Sequence, residues 1–117
     1  MKEFAGKVAV ITGAASGIGR ALSEGCVRAG INVVLADIEE IPLIKAETDL
    51  KAMGGTVIRV KTDVSKRSEV ESLARQAFDA FGSVHLLFNN AALRRAGLRG
   101  RQHGTIGSGS SGSIYGP

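Results

Sequence analysis

Tryptophan is absent from this 117-residue chain, tyrosine and cysteine occur once each, and histidine and proline twice. A lone cysteine excludes an internal disulfide framework. Cys26 reads as a small buried hydrophobe rather than a nucleophile, and fits a reducing compartment. His85 and His103 are too distant and isolated to suggest a metal site. No apolar run approaches the ~20 residues that cross a bilayer, and Met1-Lys2-Glu3-Phe4 runs almost directly into the first strand without a secretory apolar region. The expectation is a soluble cytoplasmic protein without metal or membrane association. No internal repeat is evident.

What the chain does contain is glycine, 16 residues of it, and the informative cluster is Thr12-Gly13-Ala14-Ala15-Ser16-Gly17-Ile18-Gly19. Before it, Lys7-Val8-Ala9-Val10-Ile11-Thr12 is a β-branched run of the kind buried on both faces of a parallel sheet. After it, Ile18, Ala21, Leu22, Cys26, Val27 and Ala29 recur at helical spacing until Gly30. A strand that turns through glycines into a helix start offers unpaired N–H groups and the positive end of the helix dipole, which suit a pyrophosphate. Gly13 permits the turn, Gly17 close backbone approach, and Gly19 close packing of helix on strand.

The next strand, Ile31 to Ala36, ends at Asp37, eighteen residues after Gly19. An acid there can accept hydrogen bonds from a ribose diol and would repel a 2′-phosphate, favouring NAD over NADP. The same position also suits a helix cap. Further strands are predicted over Thr56–Val64 and Val84–Ala91, and helices over Glu39–Met53 and from Ser65, as N-cap, to Phe81. In the last helix Val70, Leu73, Ala74, Ala77, Phe78 and Phe81 form a core stripe. The alternation predicts an α/β, Rossmann-like three-layer parallel sheet with strand order 3-2-1-4 and right-handed crossovers.

These residues resemble the short-chain dehydrogenase/reductase family, whose hallmark is T-G-x-x-x-G-I-G after the first strand. Asp63-Val64 is similar to the pair that lies beside adenine in that family. Asn89-Asn90-Ala91 matches the start of its Asn-Asn-Ala-Gly motif, with Ala92 in place of the glycine. The resemblance implies that Gly13, Ser16, Gly17, Ile18 and Gly19 hold the pyrophosphate, Asp37 the adenosine ribose, Asp63 and Val64 the adenine, and Asn90 the nearby ribose. Asn89 would tie the sheet together, as a buried Asn satisfying backbone groups does. It also implies NAD(P)-dependent interconversion of an alcohol and a carbonyl.

The resemblance covers residues 1 to about 92, and the family's domain is roughly twice as long as this chain. A four-stranded unit of this kind is expected to expose an apolar edge and face, and to be marginally stable or to aggregate unless a partner covers them. The family's chemistry needs Tyr-x-x-x-Lys, whose lysine lowers the phenol pKa for proton exchange with the substrate oxygen. Here the only tyrosine is Tyr115 and no lysine follows Lys66, so no catalytic residue is assigned. The alternative reading is a non-catalytic module that binds nucleotide or a protein partner.

Residues 93–117 differ in kind, with seven glycines, five Ser or Thr, four arginines and no acid. Residues 1–92 balance eleven basic against eleven acidic side chains, so the net +4 comes from Arg94, Arg95, Arg99 and Arg101. Such a tail is expected to be disordered. Electrostatic nucleic-acid binding is less favoured, because Tyr115 is its lone aromatic. A codon choice permitted for Thr105–Gly116, read two bases along, encodes Asp-Trp-Glu-Trp-Val-Phe-Gly-Val-Asn-Leu-Trp. That string resembles the family's segment beyond the fourth strand, which suggests that the reading frame shifts near Ala92.

Overall fold

The computed structural model describes residues 2–90; the tail of residues 93–117 and the proposed shift near Ala92 lie outside them. A short 3-10 turn (Lys2–Phe4) precedes β1 (Val8–Thr12), α1 (Gly17–Arg28), β2 (Asn32–Asp37), α2 (Glu40–Ala52), β3 (Val57–Lys61), α3 (Arg67–Phe81) and β4 (Leu86–Asn89). The four strands form one parallel sheet in the order β3-β2-β1-β4, as the sequence predicts. Each crossover is a helix, which parallel neighbours require.

Alternation along the strands divides the core in two. Ala9, Ile11, Val33, Leu35 and Val57 pack with Cys26 of α1 and Leu43, Ala46 and Leu50 of α2. Val10, Val34, Ala36 and Val60 pack on the other face with Leu73 and Ala77 of α3. All five residues of β1 are buried, which explains why it reads as an uninterrupted apolar run.

The predicted stripe of α3 is only partly core. Leu73 and Ala77 are buried, whereas Phe78 is 50% exposed. Ser65 is not the cap of this helix. Lys66 holds that position, and the backbone N–H and hydroxyl of Ser65 donate to Asp63 Oδ1 at 2.9 and 2.6 Å in a turn before the helix. β3 stops at Lys61, so Thr62–Val64 form the exit loop and not strand.

The exposed apolar face predicted for so short a sheet is present among the described residues. A groove of about 550 Å³ runs between α1 and β4, lined by Phe4, Ile18, Leu22, Leu86 and Phe88 among others. Every residue of β4 is half-buried.

Glu47 of α2 is 9% exposed and meets Arg59 of β3 and, at 3.1 Å, Lys51. Burial pushes its carboxyl upward, but hydrogen bonds and charge from Arg59 and Lys51 outweigh this and hold it below the usual carboxylate value. A lowered folded value stabilises the fold fully above the ordinary carboxylate range (~4.3) and loses that contribution as pH falls through the folded value. Acid titration followed by circular dichroism is expected to show Glu47→Gln with a shallower fall in stability below about pH 4 than the unsubstituted chain.

Candidate nucleotide-binding site

Parallel register brings all four strand ends to one edge of the sheet. Thr12 pairs with Ala36 on one side and Asn89 on the other, and Asp37 pairs with Lys61. β1 feeds β2 through α1 in one direction, whereas β4 lies on the opposite side of β1. The carboxyl ends of β1 and β4 therefore flank the point where strand order reverses, the place where open α/β sheets form a crevice.

The glycine-rich turn occupies that crevice. Gly13 and Gly17 have φ of +65° and +58°, in the left-handed region where glycine avoids the penalty of a side chain. At Gly17 a Cβ would meet nothing within 4 Å; the backbone angle, with open space above it, accounts for glycine there. Gly19 is different. A Cβ there would lie 1.9 Å from the Gly13 carbonyl oxygen and 2.9 Å from Asn90 Nδ2, so the first turn of α1 packs on the loop itself and not on a strand side chain.

Ser16, Gly17 and Ile18 are exposed where α1 begins. The first N–H groups of a helix have no intrahelical acceptor, and the helix dipole makes that end electropositive. The cap is extended backbone at Ser16, with no side-chain capping hydrogen bond. Ile18 is 67% exposed and also borders the apolar groove.

Around this turn the remaining residues act as braces. The Ala14 N–H donates to Ala36 O at 3.1 Å, and the Ala15 N–H to Asp37 Oδ2 at 3.0 Å. Asp37 Oδ1 accepts the Glu39 N–H at 3.0 Å. Its side chain is thus turned toward both the loop and the start of α2, and the residue is 3% exposed. Asn90, 5% exposed, donates from Nδ2 to Gly13 O at 3.1 Å. Asn89 Oδ1 accepts the Thr12 hydroxyl at 3.0 Å, tying β4 to β1.

Asp63 and Val64 are half-buried in the loop after β3. Thr62 N–H donates to Asp37 O at 2.9 Å, and the Asp63 N–H to Glu69 Oε1 at 2.7 Å. The loop is therefore fixed to β2 at one end and α3 at the other. The nine residues singled out from the sequence fall on the loops, on strand ends and in the first turn of α1 at this edge.

Two braces were missed. Thr12 closes the β1–β4 junction, and Ser23, fully buried, donates its hydroxyl to Gly19 O at 2.8 Å. A polar residue closing an apolar strand was the available signal for Thr12. Ser23 stands four residues after Gly19, and that spacing is the signal for a hydroxyl returning to a helix carbonyl.

Cys26 is buried, and desolvation raises its thiol pKa, which disfavours the reactive thiolate. Among the described residues no three His, Cys, Asp or Glu side chains gather as a metal site, and no helix is long and apolar enough to cross a membrane.

Comparison with known proteins agrees with this geometry. A sequence profile described as short chain dehydrogenase matches residues 7–104. The chain belongs to the short-chain dehydrogenase family. The profile match extends past Ala92, where the motif-level resemblance ends.

A diacetyl reductase of Staphylococcus epidermidis is 40% identical over 87 residues, covering 74% of this chain and 34% of the reductase. A dehydrogenase/reductase of CLA biosynthesis from Lactiplantibacillus plantarum is 38% identical over 97 residues, covering 83% of this chain and 34% of that protein. The crystal structure of a short-chain dehydrogenase/reductase from Burkholderia phymatum, in complex with NAD, superposes with a TM-score of 0.73 at 53% identity, over 75% of this chain and 31% of that one. The Escherichia coli hydroxysteroid dehydrogenase gives a TM-score of 0.73 at 29% identity, over 80% and 45% of the two chains. The matched segments cover about a third of the length of the two curated relatives.

Proposed function

We propose that residues 1–92 form the NAD-binding part of an oxidoreductase that interconverts an alcohol and a carbonyl. The observation that carries this reading is the exposed Ser16-Gly17-Ile18 backbone at the start of α1, beside a buried acid at the end of the neighbouring strand. The loop fits a dinucleotide. Gly13, Ser16, Gly17, Ile18 and Gly19 would hold the pyrophosphate on N–H groups, Asp63 and Val64 the adenine, and Asn90 the adjacent ribose. Asp37 would accept the adenosine ribose hydroxyls, as an ionised carboxylate is an acceptor-only group. A 2′-phosphate would sit against that carboxylate, which favours NAD over NADP. The bound dinucleotide supplies hydride transfer.

A second reading, a module that holds nucleotide without turnover, is favoured by one observation. The chain's only tyrosine is Tyr115 and its last lysine Lys66, so these residues contain no Tyr-x-x-x-Lys pair. The two readings separate in one titration. Saturable NADH fluorescence enhancement with no change on adding alcohols or ketones supports the module; a substrate-dependent change at the nicotinamide absorbance band supports the enzyme; absence of NADH binding removes both. The reading includes a reducing cytoplasmic setting, supported by the buried free thiol of Cys26.

The composition of residues 93–117 supports a further part of this proposal, that they are an out-of-frame translation of dehydrogenase coding sequence. Reading the coding DNA from the Ala92 codon in all three frames checks it. A continuation through Tyr-x-x-x-Lys in another frame is the expected result, and no such continuation in any frame sinks the idea.

A further inference from the structure

We propose that Asp37 is a positioning residue for the phosphate loop, acting through the Ala15 N–H, in addition to the ribose contact assigned to it above. The ribose contact faces the ligand. The contact with Ala15 faces the protein.

The loop is held at Gly13 by Asn90 and at its next two residues by β2. Gly13 and Gly17 carry no side chains and adopt positive φ, and glycine has the most backbone freedom to lose. Ser16, Gly17 and Ile18 are exposed and do not pack into the core. Two bonds tie the Ala14–Ala15 corner to β2: Ala14 N–H to Ala36 O at 3.1 Å, and Ala15 N–H to Asp37 Oδ2 at 3.0 Å. The second is a charge-assisted bond to a side chain 3% exposed, the stronger kind of hydrogen bond.

Asp37 is itself fixed from three sides. Its Oδ1 accepts Glu39 N–H, its carbonyl accepts Thr62 N–H, and its strand pairs with β3 at Lys61. Rigidity therefore passes from the sheet through one carboxylate to the residue immediately before the exposed Ser16-Gly17-Ile18 backbone. Pre-ordering these N–H groups lowers the conformational cost of binding an anion.

This assignment makes a prediction opposite in sign to simple electrostatics. A carboxylate near a bound pyrophosphate repels it, so Asp37→Ala should tighten pyrophosphate binding if the side chain acts by charge alone. If the carboxylate positions the loop, its removal weakens that binding. Asp37→Asn separates charge from geometry: it is neutral, yet keeps one oxygen able to accept the Ala15 N–H.

The inference rests on the nucleotide-binding reading for its ligand, but its first readout needs no ligand. Amide hydrogen exchange of Ala15 in the full chain is measured by NMR for the unsubstituted protein, Asp37→Asn and Asp37→Ala. Affinity for inorganic pyrophosphate, a probe without ribose, is measured in parallel. The expected result is Ala15 exchange at least tenfold faster in Asp37→Ala, substantial protection retained in Asp37→Asn, and pyrophosphate affinity lowered severalfold in the alanine variant but not in the asparagine variant.

Unchanged Ala15 exchange in Asp37→Ala, or pyrophosphate binding as tight as or tighter than in the unsubstituted chain, overturns the positioning role. If Asp37→Ala does not fold, Asp37→Asn decides: protection within threefold of the unsubstituted chain with pyrophosphate binding kept supports it, and loss of either overturns it. Failure of the unsubstituted chain to bind NADH or pyrophosphate, with Ala15 exchange still dependent on Asp37, defeats the nucleotide-binding reading and leaves loop positioning supported by exchange.

Discussion

Gly19→Ala is expected to abolish dinucleotide binding and to destabilise the chain by about 3–5 kcal/mol, the range in which a backbone clash rather than ordinary repacking sets the cost. A Cβ at this position would lie 1.9 Å from the carbonyl oxygen of Gly13, well inside van der Waals contact. Neither atom can move cheaply. The Gly13 carbonyl is held by Asn90 Nδ2 at 3.1 Å, and Gly19 is held through its own carbonyl by the buried Ser23 hydroxyl at 2.8 Å.

Gly17→Ala is the matched control. A Cβ there meets nothing within 4 Å, and the φ of +58° alone opposes it, a cost of about 1–2 kcal/mol. Urea unfolding of the two variants beside the unsubstituted chain measures the difference, with NADH fluorescence reporting the site. Equal destabilisation of the two would show that the Gly13–Gly19 contact relaxes without cost, and that loop geometry does not depend on it.

The strand and helix order was legible because β1 and β2 are buried on both faces, and burial of that kind leaves an unbroken β-branched run in the sequence. The glycine positions were legible for a similar reason: positive φ at Gly13 and Gly17 admits few other residues. What spacing could not show was which apolar residues of a helix find a partner. Phe78 and Leu73 both belong to the apolar stripe of α3, yet Leu73 is 3% and Phe78 50% exposed. Periodicity reports which residues share a helix face, and the width of sheet beneath that face decides how many of them are covered.

The site shows a parallel limit. Sequence placed Asp37 at the end of β2 and offered it two roles, ribose acceptor and helix cap. The structure shows its carboxylate accepting Glu39 N–H at the start of α2 and Ala15 N–H across the loop. Glu39 and not Asp37 is the cap residue of α2, and the bond from Glu39 N–H closes a local turn before the helix. The contact with Ala15 joins residues 22 apart and depends on the register of β1 against β2, which fixes Ala36 beside Thr12. Asn90 and Gly13, 77 residues apart, meet for the same kind of reason. Motifs name the residues at such an edge, while strand register determines which of them touch.

That dependence on register leads to an expected result in the core beneath the site. Leu35 is fully buried on β2, between β1 and β3, with Ile11 on one side and Arg59 on the other in register. Two residues on, with its side chain on the same face of the strand, stands Asp37. Leu35→Ala removes a core side chain without touching any site residue, and a cavity of that kind costs about 2–5 kcal/mol. A domain of this size has only on the order of 5 kcal/mol in total, so the variant is expected to lose most of its stability and populate unfolded chain at 37 °C. Phe78→Ala, on a half-exposed ring, is expected to change stability by less than about 0.5 kcal/mol.

If residues 1–92 bind NADH, the Leu35→Ala chain should be rescued by it. Ligand at 100 times its dissociation constant stabilises the folded state by about 2.7 kcal/mol, enough to offset much of the cavity cost. Thermal melts of the variant with and without NADH test both claims together. A lowered melting temperature that rises with NADH concentration places the defect in the core and leaves the site intact. A lowered melting temperature that NADH does not raise means that the strand end and its carboxylate are displaced along with the core, because β2 carries both.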